Sequence, residues 1–102
     1  MRLWLDDVRV MPEDFDIWVK SALACIGIIE SGIVTHISFD HDLGHSMFTG
    51  YTVACSIEVL AFYNKVGRIS WDVHSQNPVG KENIERAMKK ADEYWEDNTL
   101  DS

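Results

Sequence analysis

An apolar run rich in β-branched residues, Ile33 to Phe39, breaks off at Asp40-His41-Asp42 and closes on Gly44. A strand apolar on both sides belongs in the interior of a sheet, buried from above and below, and such strands are typical of parallel sheets. If the extended geometry persists to Asp42, the side chains of Asp40 and Asp42 share one side and His41 takes the other. A polar loop following a strand is the plain alternative for this triplet. The rest of the chain bears on that choice.

Arg2 to Leu5 reads as a short apolar strand ending in Asp6-Asp7, and residues 8–14 carry no helix pattern. Phe15 to Lys20 alternates as an edge strand does, with Phe15, Ile17 and Val19 opposite Asp16, Trp18 and Lys20. The same stretch also fits one amphipathic helix starting at Pro12 and using Phe15, Trp18, Val19, Ala22, Leu23, Ile26 and Ile29. The strand is the preferred reading. Ser21 then caps a helix that stops at Gly32, and Tyr51 to Tyr63 forms a second helix ended by Asn64 and Gly67. Ile69 to Ser75 alternates again and delivers His74-Ser75-Gln76-Asn77. Asn77 before Pro78 starts a third helix, whose face is traced by Ile84, Ala87, Met88, Ala91, Tyr94 and Trp95; a polar tail follows from Glu96. Strands alternating with helices predict an α/β domain with strand order 2-1-3-4. Ligands of such sheets bind outside the carboxyl ends of the strands where the order reverses, here between strands 1 and 3. Asp6-Asp7, Asp40-His41-Asp42 and His74-Ser75 would therefore converge on one crevice.

The 102 residues fit a single domain spanning 1–102, and the formal net charge of −8 excludes an extended surface that grips nucleic acid by charge. A nucleotide or an RNA end held in a small pocket stays open. Cys25 and Cys55 lie within apolar helical patterns and read as small buried hydrophobes of a reduced, cytoplasmic protein. No secretory signal or membrane-spanning run is expected.

Close carboxylates repel unless a cation or a shared proton compensates, so Asp6, Asp7, Asp40 and Asp42 are candidate ligands for a hard cation such as magnesium. His41 and His74 suit general acid and base roles, with Asp40 beside them as a third catalytic candidate. Ser75, Asn77 and the amide of Gly80 at a helix start can hold phosphate oxygens, while Arg9 and Lys81 add positive charge. Each has a structural alternative: His74 hydrogen-bonding Asp72 or Asp6, Asn77 only capping, Arg9 only neutralising acids. His36 and His45 receive no role.

Leu3-Trp-Leu-Asp-Asp-Val-Arg9, Ile37-Ser-Phe-Asp-His-Asp-Leu-Gly44, Thr49-Gly-Tyr51 and Val73-His-Ser-Gln-Asn-Pro-Val-Gly80 together resemble the cyclic-phosphate processing receiver-like family, up to about Trp95. The resemblance implies a truncated receiver-like (flavodoxin-like) three-layer fold, with a mainly parallel sheet of about four strands and about three helices. It also implies an acidic pocket adapted by histidines to a cyclic phosphate, using Asp6, Asp7, Asp40, His41, Asp42, His74, Ser75 and Asn77. The chain departs from an ordinary receiver. It lacks a helix between strands 1 and 2, and it lacks the last strand with its lysine, which speaks against aspartyl-phosphate signalling. The short first connection is uncomfortable for a parallel pair, leaving strand 2 open to an antiparallel or helical form. Leu3, Trp4 and Leu5 make strand 1 apolar on both faces, so a second copy or a protein partner is expected over the face without helices. The expected activity is a hydrolase-type, metal-assisted phosphoesterase opening an RNA 2′,3′-cyclic phosphate end or a cyclic nucleotide. The alternative is a non-catalytic receiver-like module binding a phosphorylated ligand, a nucleotide signal or a protein partner. A phosphoacceptor receiver is the third reading.

Overall fold

In the computed structural model, which describes residues 1–44 and 46–100, the chain runs β1 (Arg2–Leu5), β2 (Ile17–Val19), α1 (Ala22–Glu30), β3 (His36–Phe39), α2 (Gly50–Phe62), β4 (Ser70–Val73) and α3 (Pro78–Leu100). His45 lies outside the described residues. The four strands form one parallel sheet in the order β2-β1-β3-β4, as the edge and interior patterns predict.

Residues 15–20 resolve as a strand rather than a helix, shortened to Ile17–Val19, and it pairs parallel to β1 despite the short connection. Hydrogen bonds hold that connection in place of a crossover helix. Asp6 accepts the N–H groups of Val8 and Arg9, while Arg2 and Asp16 exchange two bonds, Arg2 N to Asp16 Oδ2 at 2.7 Å and Asp16 N to Arg2 O at 2.8 Å.

Alternation within the strands sorts the sheet into two faces. Leu3, Leu5, Ile37 and Phe39 point into one core with Cys25 and Ile29 of α1, Val53 and Ile57 of α2, and Ile84 and Met88 of α3. Helices α1 and α2 share that face because the crossovers from β2 to β3 and from β3 to β4 progress in one direction across the sheet, and right-handed crossovers then fall on one side, while α3, after the last strand, joins the same core through Ile84 and Met88. The face expected to lack helices is covered by a loop. Residues 6–16 fold over the opposite face, where Phe15 meets Trp4 edge-on at 5.3 Å. Trp4 is only 9% exposed within the single chain, so its apolar character needs no partner to cover it.

Ser21 caps α1 by accepting from Ala24 N, and Thr49 caps α2 in a reciprocal pair with Thr52. The segment from Glu96, expected as a polar tail, is instead helical to Leu100. Trp95 Nε1 donates to Val66 O at 3.1 Å and Asn98 Nδ2 to Ala61 O at 3.0 Å, which ties this last stretch to α2 and the segment after it. Cys25 is buried and Cys55 half-buried, both free, and burial pushes the Cys25 thiol up to about 12. No helix among the described residues is long and apolar enough to cross a membrane.

Candidate functional site

The backbone ladder continues one residue beyond the strands and sets the site. Asp6 N donates to Val19 O, Asp40 N to Leu5 O and His74 N to Phe39 O, so Asp6, Asp40 and His74 stand side by side where β1, β3 and β4 end. One ligand atom from each of Asp6, Asp7 and Asp40 falls within 4.8 Å of the others. An open cavity lined by Asp6, Asp7, Arg9, Asp40, Asp42 and Gly44 lies over them. Gly44 closes this loop at φ +67, and a Cβ there would stand 3.2 Å from Asp7 Oδ2.

Asp6 is the buried member of the group. Its Oδ1 accepts the N–H groups of Val8 and Arg9, each at 2.8 Å, and its Oδ2 lies 2.9 Å from His74 Nε2. Burial alone would raise this carboxyl, but the Val8 and Arg9 bonds and the His74 bond and charge hold it below its ordinary value. Asp40 goes the other way: burial first, then the charge of Asp6, raise it, and the His41 N–H, His74 and Arg9 offset only part.

That repulsion is what a hard cation relieves, and an all-oxygen donor set suits magnesium. Three of the four acceptor positions of Asp6 are taken. Asp40 accepts one N–H, from His41 at 2.9 Å, and Asp7 accepts none among the described residues, so these two carry most of the free ligand capacity. Asp42, expected as a ligand, borders the same cavity but falls outside the group of three, and its Oδ1 lies 3.0 Å from His41 Nδ1.

His74 is clamped on every side. Trp4 stacks on its ring at 3.9 Å with the planes 4° apart, Ser38 Oγ lies 2.8 Å from Nδ1, and Arg9 Nη1 donates to its carbonyl at 2.7 Å. Trp4 Nε1 in turn donates to Arg9 O and Trp18 Nε1 to Asp6 O, which locks the loop carrying Asp7 and Arg9. Arg9 Nη1 also sits 3.9 Å from Asp6 Oδ2, so this guanidinium serves the protein's own acids and backbone.

His41 belongs to a second cluster. Its Nδ1 lies 3.4 Å from Asn77 Nδ2, and its ring rests on Gly80, where a Cβ would come within 2.3 Å of Cγ. Asn77 Oδ1 caps α3 by accepting from Gly80 N, and Ser75 Oγ accepts from Asn77 N at 3.1 Å. Lys81 is exposed on the first turn of α3. Gly50 holds the other side of the loop: its N–H donates to His41 O, and a Cβ there would meet Asp40 O at 1.9 Å. The two clusters meet at the Asp40–His41 peptide.

Sequence reasoning missed Trp4 and Ser38 as partners of His74, and Gly50 as the support of Asp40; Asp72, weighed as a direct partner of His74, reaches it through Ser38 Oγ. The alternating Ser70, Asp72 and His74 was the visible signal, since polar residues on one side of a strand must find partners or water. A larger groove, lined by Ile26, Tyr51, Cys55, Val59 and Leu60 between α1 and α2, is apolar and holds none of the convergent acids. The acidic crevice is therefore the candidate site.

A family model described as Cyclic-phosphate processing Receiver domain matches residues 1–90. No curated protein and no solved structure matches the chain.

Proposed function

The chain belongs to the cyclic-phosphate processing receiver domain family, and on that premise we propose that it opens a cyclic phosphate at the carboxyl ends of the strands. The substrate is an RNA 2′,3′-cyclic phosphate end or a cyclic nucleotide. The observation that carries this reading is the convergence of Asp6, Asp7 and Asp40 within 4.8 Å, with His74 2.9 Å from Asp6.

Asp7 and Asp40, with the remaining acceptor position of Asp6, would hold magnesium. When bound, the ion would supply positive charge against the phosphate oxygens. His41 takes the proton of the attacking water, and His74 gives one to the ester oxygen that leaves as the ring opens. The phosphorus thus gains one P–O bond and loses another, leaving a phosphomonoester. Ser75, Asn77, the Gly80 amide and Lys81 stand where they can hold the phosphate. A second reading, a module that binds such a ligand without turning it over, is favoured by the engagement of His41 with Asp42 and Asn77, apart from His74.

Purified protein incubated with 2′,3′-cyclic phosphate ends, cyclic mononucleotides and cyclic oligonucleotides, with magnesium or with chelator, separates the two when products are read by mass. Ring opening that needs magnesium is the expected result. Retention of one ligand with no product under either condition would replace the enzyme by the binding module.

A further inference from the structure

We propose that the base of a nucleotide substrate lies against Phe48 and Val79, which flank His41, so that the apolar rim of the acidic crevice recognises the part of the ligand beyond its phosphate. This deepens the functional reading above and rests on it for the phosphate end.

Five exposed apolar side chains, Val8, Val10, Met47, Phe48 and Val79, stand on the three segments that leave the carboxyl ends of β1, β3 and β4. Scattered exposed hydrophobes are ordinary on any surface, but these share one end of the sheet with the acids. Val8 lines the crevice together with Asp7 and Asp40. Phe48 stands two residues before Gly50, whose N–H donates to His41 O at 2.9 Å, and Val79 stands directly before Gly80, on which the His41 ring rests. The starts of α2 and α3 thus bring one apolar side chain each to His41. Phe48 is held in advance of any ligand: its N–H donates to Ser46 Oγ at 3.0 Å, the next residue caps α2, and it is 39% exposed against 85% for Met47 beside it.

Charge decides what such a rim can hold. The chain carries a net charge of −8, the crevice is acidic, and the Arg9 guanidinium is engaged by Asp6 and the His74 carbonyl. An anionic ligand therefore gains from charge chiefly at its phosphate, through a bound cation, and the rest of its affinity must come from uncharged contact. A broad apolar protein surface laid over the rim would bury the acids of the crevice away from water, which is costly. A nucleobase meets both conditions. It is uncharged and flat, apolar on its faces and polar at its edges, and small enough to leave the acids wet, and it stacks on an aromatic ring such as that of Phe48.

The test is a titration of the full chain, labelled with 13C at its Met and Val methyl groups, with 2′,3′-cyclic AMP in the presence of magnesium, beside a titration with 1,2-cyclic glycerol phosphate, which has no base. Substrate and ring-opened product both carry the base, so turnover leaves the reading intact. The Met47 and Val79 methyl signals should move upfield with cyclic AMP, under the ring current of the base, and stay in place with cyclic glycerol phosphate. Phe48→Ala should weaken nucleotide binding about tenfold, whereas Val59→Ala, in the groove between α1 and α2, should leave it unchanged. Upfield shifts from the mononucleotide, from an oligoribonucleotide ending in a 2′,3′-cyclic phosphate, or from both support the base site and identify the source of the base. Unmoved rim methyls, unaltered affinity in Phe48→Ala, a loss of affinity in Val59→Ala, or no nucleotide binding at all would overturn the proposal. Absence of ring-opened product in the same samples would overturn the functional reading alone, since the methyl shifts are read whether or not the phosphate opens.

Discussion

Leu5 and Asp6 are adjacent in the chain, as are Phe39 and Asp40, yet each pair faces two different environments. Leu3, Leu5, Ile37 and Phe39 are fully buried under three helices, whereas Trp4, Asp6 and Ser38 are nearly as buried on the other face with no helix above them. On the first face burial is apolar packing, tolerant of exchange at constant volume. On the second it is a net of directed bonds running from Asp72 through Ser38 and His74 to Asp6. Depth of burial therefore does not separate core from site in this small sheet. What separates them is whether a neighbour must be of one size or of one hydrogen-bonding sense.

The largest effect that tests this division is on the packed face. Phe39→Ala should cost about 3–5 kcal/mol of unfolding free energy by the usual behaviour of buried aromatic truncations, read by urea denaturation. The folded fraction should still bind a divalent cation as the wild type does. Loss of cation affinity in properly folded Phe39→Ala would show that the two faces are not separable.

Gly80→Ala should act by about 1–3 kcal/mol, the range for forced overpacking, because its new Cβ enters the His41 ring. The ring resonances of His41 should move in NMR spectra while those of His74 stay. Equal displacement of both rings would merge the two clusters that the geometry keeps apart.

The smallest effects are electrostatic and have opposite signs. Asp40 is raised, by burial and then by Asp6, so its folded form holds its proton more tightly than the unfolded chain. Its contribution is complete below the ordinary value of 3.8 and is lost as pH rises through the folded value, which leaves the ionised group a net cost at neutral pH. Asp40→Asn should therefore stabilise the metal-free protein at pH 7 by up to about 1 kcal/mol after screening, and abolish its stabilisation by magnesium. Asp6 is lowered despite its burial, through the Val8 and Arg9 bonds and His74, so its contribution is present above 3.8 and is lost as pH falls through its folded value. Asp6→Asn should destabilise at pH 7 and flatten the acid limb of a melting-temperature profile. Matching signs for the two variants would contradict the split.

Much of this was legible in the residues. Edge and interior patterning gave the strand order, Ser21 and Asn77-Pro78 marked helix starts, and two acidic segments with His74-Ser75 pointed to one crevice. The parts that were not legible depend on contacts between distant segments. Residues 15–20 satisfy strand and helix periods alike, and only pairing with β1 decides between them. Trp4 looked like half of an interface because its cover, Phe15, depends on the path of a loop that carries no pattern. Ser38 read as an ordinary polar position because its register with Asp72 lies between strands and not within either. The helical run past Glu96 was not legible because its polar composition hides the anchor at Asn98, which donates to Ala61 O.

The measurement that tests the account most directly is a titration of the 15N-labelled protein with manganese, reading paramagnetic broadening residue by residue. The account predicts that the signals of Asp6, Asp7 and Asp40 broaden first, at low metal, with His74 close behind and the residues of the packed face, such as Ile57 and Met88, last. Broadening centred on Asp42 and His41, or spread evenly over the acidic surface, would contradict a cation site built at the ends of β1 and β3.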